Sequence, residues 1–197
     1  MMFARTERLL LRPSWPEDAS ELHQAISDEG IVRNLARAPW PYTADDAAQF
    51  AAQEHDALYP AFLLMLRTHG APRIIGACGI GNYDGSAELG YWIMRPYWGL
   101  GFATEASRAV VNIAKAIGHK KLVASHFTDN PASGNVLRKL GFQNTGETAQ
   151  RHSNGRGAAM TCALYEKALD GAGAEPRARL SPPALTMRAQ MERLQAA

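Results

Sequence analysis

Between Arg95 and Gly118 the chain reads RPYWGLGFATEASRAVVNIAKAIG, with glycines at 99 and 101 just ahead of a long amphipathic run. The first N–H groups of an α-helix have no partner inside it, and the helix dipole leaves that end positive. Gly99 and Gly101 remove the side chains that would keep a ligand off this backbone, and only Thr104 offers a hydroxyl. The chemistry suggested is anion binding, with the amides of Gly99, Leu100, Gly101, Phe102, Ala103 and Thr104 cradling a pyrophosphate. The plainer reading is a tight turn that precedes a helix. Two other phosphate motifs fit poorly. The dinucleotide fingerprint needs a third glycine where Thr104 stands and an acid about twenty residues on, where HKKLV has none. The phosphate loop needs Gly-Lys-Ser/Thr, which the sequence does not contain.

The elements that must hold this loop follow from periodicity. Ala106, Val110, Ile113 and Ile117 fall on one helical face, with Glu105, Arg108, Asn112 and Lys115 on the other. Ahead of them, RTERLLLRPSW alternates as a first strand, and Ser14 and Glu17 stand at capping-box spacing before a helix through DASELHQAISD. Thr43 and Asp46 mark a second helical start. AFLLMLRT, RIIGACGIGNY and SAELGYWIMR then read as successive antiparallel strands separated by HGAP and DG. After the long helix come a strand, KLVASHF, and a short helix, NPASGNVLRKLG. Asn130 suits its cap, Pro131 its first position and Gly141 its stop. FQNTGETAQ and AAMTCALYEKAL close the domain as a strand pair. The sum is a mixed α/β sheet covered by helices.

AELGYWIMRPYWGLGFATEA followed by NPASGNVLRKLGF resembles the GNAT acetyltransferase superfamily, and within it the ribosomal-protein N-terminal acetyltransferases. The order of elements matches over about residues 5 to 167. The resemblance implies a mixed, mostly antiparallel sheet of six to seven strands with helices on both faces. It implies acetyl-CoA as donor, its pyrophosphate on the glycine loop and its pantetheine along ELGYWIM near Ile93 and Met94. One departure stands out: the superfamily often has Gln or Arg three residues before the first glycine, and here that position is Pro96, so Arg95 receives no phosphate role. Asn130 is expected to cap its helix, to touch pantetheine, or both. Ser133 corresponds to a position near the thioester sulfur, a proton donor to the leaving thiolate; otherwise it is a first-turn hydroxyl. Trp40 and Tyr42, in APWPYT, resemble the loop that covers the acceptor, or they simply pack. Glu88 reads either as a surface residue or half of an ion pair, or as a base or water-positioning acceptor for the amine. His126, in phase with Leu122 and Ala124, reads as a buried, hydrogen-bonded histidine.

Composition narrows the setting. At 197 residues, with 46% hydrophobic and 20% charged residues, one globular domain with a sizeable core is expected. A net charge of +2 with scattered basic residues argues against a nucleic-acid or membrane partner. The start, MMFARTERLL, lacks the apolar segment of a signal peptide. Cys78 and Cys162 read as reduced core residues, consistent with a cytoplasmic protein, and the histidine spacing suggests no metal site. Residues 1–168 are expected to form the catalytic domain. Residues 169–197 are expected to form a linker and a helical tail whose Met187, Met191 and Leu194 dock on the domain or meet a partner, a homodimer included. The reaction implied is direct attack of a primary amine, on a peptide or a small molecule, on acetyl-CoA. The alternatives are a non-catalytic acyl-CoA sensor and an acyltransferase for longer acyl groups.

Overall fold

A computed structural model describes residues 2–54, 56–67 and 70–169. One mixed sheet of eight strands runs β1-β2-β3-β4-β5-β6-β8-β7. Its strands are β1 (Ala4–Arg5), β2 (Leu9–Arg12), β3 (Ala61–Leu66), β4 (Arg73–Tyr83), β5 (Ser86–Ile93), β6 (Lys121–Phe127), β7 (Gln143–Ser153) and β8 (Ala158–Ala168). The helices are α1 (Ala19–Ile26), α2 (Glu29–Val32), α3 (Ala44–Ala51), α4 (Phe102–Ala116) and α5 (Pro131–Lys139). The strand beyond the expected six to seven is β1, two residues paired to Leu10 and Leu11 and too short to show a period. α2 is also new, a single turn started by Asp28, whose carboxylate accepts from Gly30 N–H at 2.7 Å.

Helices cover both faces, and this explains why AFLLML is apolar without alternation. Phe62 and Leu64 of β3 enter the core under α4, while Leu63 and Met65 enter the core under α1–α3. A bulge between Leu64 and Met65 leaves Ile75 without a partner on β3, while Ile74 and Ile75 enter opposite cores by strand alternation. The buried seam of α4 is Phe102, Ala106, Val110 and Ala114, with Ile113 and Ile117 at its margin. Alanines at this seam let the helix lie close to the sheet.

Two helix starts bear on the expectations. Thr43 and Asp46 form their box: Thr43 N–H donates to Asp46 Oδ2 at 2.8 Å and Asp46 N–H to Thr43 Oγ1 at 3.2 Å. Near α1 the reciprocal bond lies one position beyond the expected Ser14–Glu17 pair. Trp15 N–H donates to Asp18 Oδ2 at 2.8 Å, and the same carboxylate holds both Arg12 Nη atoms at 2.6 and 2.7 Å. A buried guanidinium needed a carboxylate partner, and Asp18 supplies it.

At the other end, Leu169 is still core, its N–H donating to Lys120 O at 2.8 Å. The remainder of the expected linker and tail, including Met187, Met191 and Leu194, lies outside the described residues.

The feature that shapes the site is the single parallel pairing. β5 and β6 are joined in register only at Glu88 and Val123, although β5 continues to Ile93 and β6 to Phe127. Beyond that point the strands diverge. β6 keeps full pairing with β8 on its far side, and β5 with β4 on its own. The sheet therefore opens as a V between β5 and β6.

Candidate active site

The V leads into a cleft of about 1020 Å³. Of the residues singled out from sequence, Glu88, Ile93, Gly99, Gly101, Phe102, Ala103, Thr104, His126, Asn130, Ser133, Cys162 and Tyr42 line it; Met94, Leu100 and Trp40 do not.

Gly99 and Gly101 have φ of 75° and 84°, the left-handed region that a side chain disfavours. Crowding is not the reason for glycine here: a methyl at Gly99 would meet no protein atom within 4 Å, and at Gly101 only Arg8 Nη2 at 3.6 Å. The left-handed backbone, rather than crowding, is what asks for glycine at both positions. Gly101 is the N-cap of α4, and no side chain caps that helix. Arg8 braces the loop from behind, donating from Nη1 to Leu100 O at 3.0 Å and from Nε to Glu105 Oε2 at 2.7 Å. Burial acts to raise the Glu105 carboxyl, but hydrogen bonds from Thr6 and Arg8 hold it below its ordinary value. The positive helix end, the bare amides and the open space together suit a pyrophosphate.

β5 offers its free edge beside this loop. Met94 N–H donates to Ile75 O at 2.8 Å and Met94 O accepts from Tyr97 N–H at 2.9 Å, so the backbone of Met94 is engaged within the protein. By strand alternation the Ile93 amide points away from β4, into the V. Ile93 O accepts from Trp98 Nε1 at 2.6 Å. Of the two positions expected to bond an extended ligand, Ile93 is the one whose N–H faces the gap.

Across the V stands the start of α5. Asn130 caps it as expected, its Oδ1 accepting from Ser133 N–H at 3.4 Å. Ser133 Oγ lies 2.8 Å from the Tyr91 hydroxyl, which also donates to Ser133 O at 3.1 Å. His126 is half-buried below α5. Its Nε2 lies 3.4 Å from Tyr165 Oη, its Nδ1 2.8 Å from Phe127 O, and a Cβ at Gly134 would come within 2.6 Å of Nε2. It is hydrogen-bonded, as strand parity suggested, but half-buried rather than buried, and it lines the cleft.

The opposite face of the sheet carries Glu88. Its Oε1 accepts from Arg151 Nη1 at 2.6 Å and from Ser125 Oγ at 3.2 Å, and both side chains of the ion pair are largely buried. The Arg151 guanidinium also lies over the Tyr83 ring at 3.6 Å. Tyr42 is buried against the α1–α3 core, its carbonyl bonded to His23 Nε2, and its phenol is pushed up to about 12 by burial and by the Asp46 carboxylate. Trp40 is exposed. Cys78 and Cys162 are both buried, and burial pushes the Cys78 thiol up to about 12. Among the described residues no cluster of His, Cys, Asp and Glu could hold a metal, and no helix is long and apolar enough to cross a membrane.

The model of the acetyltransferase (GNAT) domain matches residues 8–143, more than half the chain. The chain belongs to the GNAT acetyltransferases. The uncharacterized N-acetyltransferase YoaA of Bacillus subtilis (strain 168) is 30% identical over 152 residues, covering 74% of this chain and 85% of its own. The ribosomal-protein-S5-alanine acetyltransferase of Vibrio fischeri superposes with a TM-score of 0.72 at 20% identity, over 86% of this chain and 98% of that one. RimL, a ribosomal L7/L12 α-N-protein acetyltransferase in complex with coenzyme A, superposes with a TM-score of 0.72 at 16% identity, over 86% and 99%. These two likenesses establish the fold, a single mostly antiparallel GNAT sheet flanked by helices.

In this acetyltransferase, sequence reasoning missed Tyr91, Ser125 and Arg151. Tyr91 carried a signal: it shares phase with Leu89 and Ile93, which face α4, so its hydroxyl had to lie on the side of α5. Arg151 carried none, since it meets Glu88 from 63 residues away.

Proposed function

We propose that this acetyltransferase moves the acetyl group of acetyl-CoA to a primary amine by direct attack, the two reactants meeting through the V from opposite faces of the sheet. The observation that carries this reading is the cleft: it is lined on the α4 and α5 face by Gly99, Gly101 to Thr104 and Ser133, and on the other face by Glu88 and Tyr42. Bound acetyl-CoA supplies an activated acetyl group as a thioester. The amides from Gly99 to Thr104 hold its pyrophosphate, the free edge of β5 at Ile93 holds its pantetheine, and Asn130 keeps Ser133 at the first turn of α5, facing the sulfur. The β5 amide that points into the V is the donor for the developing oxyanion.

On the acceptor face Glu88 is a carboxylate already bonded to Arg151 and Ser125. In that state it is better suited to hold a water that takes the amine proton than to take the proton itself. The acceptor must therefore reach its neutral form largely without help. An α-amine of pKa near 7.8 is roughly 10–15% neutral at pH 7, whereas a lysine near 10.4 is only about 0.04% neutral. An α-amine or another amine of low pKa is the favoured acceptor, on a peptide or a small molecule.

The test is thiol release from acetyl-CoA with matched peptides, one bearing a free α-amine and no lysine, the other Nα-blocked and bearing lysine. Faster turnover of the first supports the assignment; turnover of the second alone overturns it. Release with longer acyl-CoA donors in place of acetyl-CoA would reassign the donor.

A further inference from the structure

Ser133 is held at three atoms. Asn130 Oδ1 takes its N–H, and the Tyr91 hydroxyl meets both its carbonyl, at 3.1 Å, and its Oγ, at 2.8 Å. Tyr91 has one proton and two acceptors within reach. The carbonyl can only accept, while Oγ can accept or donate. Two arrangements follow. In one, Tyr91 donates to Ser133 O and the Ser133 hydroxyl donates back to Tyr91 Oη, leaving no Ser133 proton for a ligand. In the other, Tyr91 donates to Ser133 Oγ and the Ser133 proton is free to point into the cleft, which both residues line.

We infer that Tyr91 is a positioning residue for the departing thiolate: shifting its proton from the Ser133 carbonyl to the Ser133 hydroxyl turns the Ser133 proton toward the sulfur. The inference rests on the reading that the start of α5 faces the thioester. As the nitrogen–carbon bond forms and the carbon–sulfur bond breaks, the bonding pair goes to sulfur and the amine proton to water. The sulfur accepts a hydrogen bond from Ser133 Oγ–H, and both hydroxyls keep their protons. Burial supports this, because it pushes the Tyr91 phenol well up despite the opposing hydrogen bond from Ser133. A thiolate whose conjugate acid has a pKa near 8.5 cannot draw a proton from such a group. The titratable groups around Tyr91 are Cys78 on β4, His126 on β6 and Tyr165 on β8. Lys139 lines the cleft from α5, while Glu88 and Arg151 are paired on the opposite face.

The binding arm of the test needs no acceptor. Binding of CoA and of desulfo-CoA, which lacks the sulfur, is measured calorimetrically on the full chain between pH 7 and pH 10. Desulfo-CoA cancels every titration except that of the bound thiol. In the wild type, CoA should gain about three- to tenfold on desulfo-CoA across this range, since a hydrogen bond to a charged group is stronger than one to a neutral group. Ser133→Ala and Tyr91→Phe should each remove most of that gain, and the double variant should remove no more than either alone. The loss of kcat in Tyr91→Phe should likewise vanish in the Ser133→Ala background. Desulfo-CoA binding reports that each variant is folded; should Tyr91→Phe lose it, Tyr91→His is read in its place. A full gain retained without the Tyr91 hydroxyl, or no gain in the wild type, overturns the inference while leaving the donor site standing. Failure of the wild type to bind either compound overturns the donor site as well.

Discussion

Glu88 and Tyr91 stand three positions apart on β5, so their side chains leave opposite faces of the sheet: Glu88 meets Arg151 and Ser125, and Tyr91 meets Ser133 under α5. The V between β5 and β6 begins at Glu88, where the last paired residues lie. On the proposed reading, proton removal from an acceptor and departure of a thiolate fall on different faces, and the reactants meet in the gap.

This separation makes Glu88→Gln informative. The amide keeps the shape and the Ser125 contact but gives up the carboxylate. Turnover should fall by about 10²-fold, the low end of general acid–base effects, with acetyl-CoA affinity unchanged. Steady-state kinetics and a CoA titration check it. An equal fall in donor affinity would mean that Glu88 serves the wrong face.

Gly101→Val places a branched side chain at φ 84° in the loop that lines the cleft, so the loop cannot keep its left-handed backbone without strain. CoA affinity should drop at least about tenfold, and the thermal stabilisation that CoA gives should disappear. The comparison is a melting curve with and without CoA. A folded Gly101→Val variant with wild-type CoA affinity would remove the phosphate from the glycine loop.

The loop was legible in the sequence because its signal is local: two glycines, no capping side chain and an amphipathic run. The Asn130–Pro131 start and the three antiparallel strands were legible for the same reason. What escaped has no local period or depends on distant partners. β1 is two residues, α2 is one turn, and the cap near α1 moved to Asp18 because Arg12 is buried beside it. Tyr91 and Ser133 are 42 positions apart, so strand phase gave the face but not the contact.

The residues lining the cleft run from Ser14 to Cys162. Truncation after Leu169 should therefore leave CoA binding intact, whatever it does to assembly. CoA titration and light scattering on the truncated protein decide the matter. Loss of CoA binding in a truncate that still melts cooperatively would extend the donor domain into the tail.

Acid should destabilise the fold through Asp18. Burial alone would raise its carboxyl, but hydrogen bonds from Arg12 and Trp15 N–H keep it below its ordinary 3.8. A carboxyl depressed in the folded state contributes stability that is present above its unfolded value and lost as pH falls through the folded one. Denaturant midpoints should accordingly be flat near neutrality and decline below about pH 4, where carboxylates begin to protonate. Asp18→Asn should lower stability by about 3 kcal/mol at neutral pH, because Arg12 is left buried without its partner, and should flatten the acid decline. An unchanged acid limb in Asp18→Asn would assign that limb to other carboxylates.

The central claim is that the cleft carries an acetyl group from CoA to an amine. The direct measurement is acetyl gain on an α-amine peptide, by mass spectrometry, alongside thiol release from acetyl-CoA, in wild type and Gly101→Val. One acetylated amine per thiol released in the wild type, with both lost in the variant, is the predicted result. Tight binding of acetyl-CoA by the wild type with no acetyl reaching any amine would contradict it and leave a sensor in place of an enzyme.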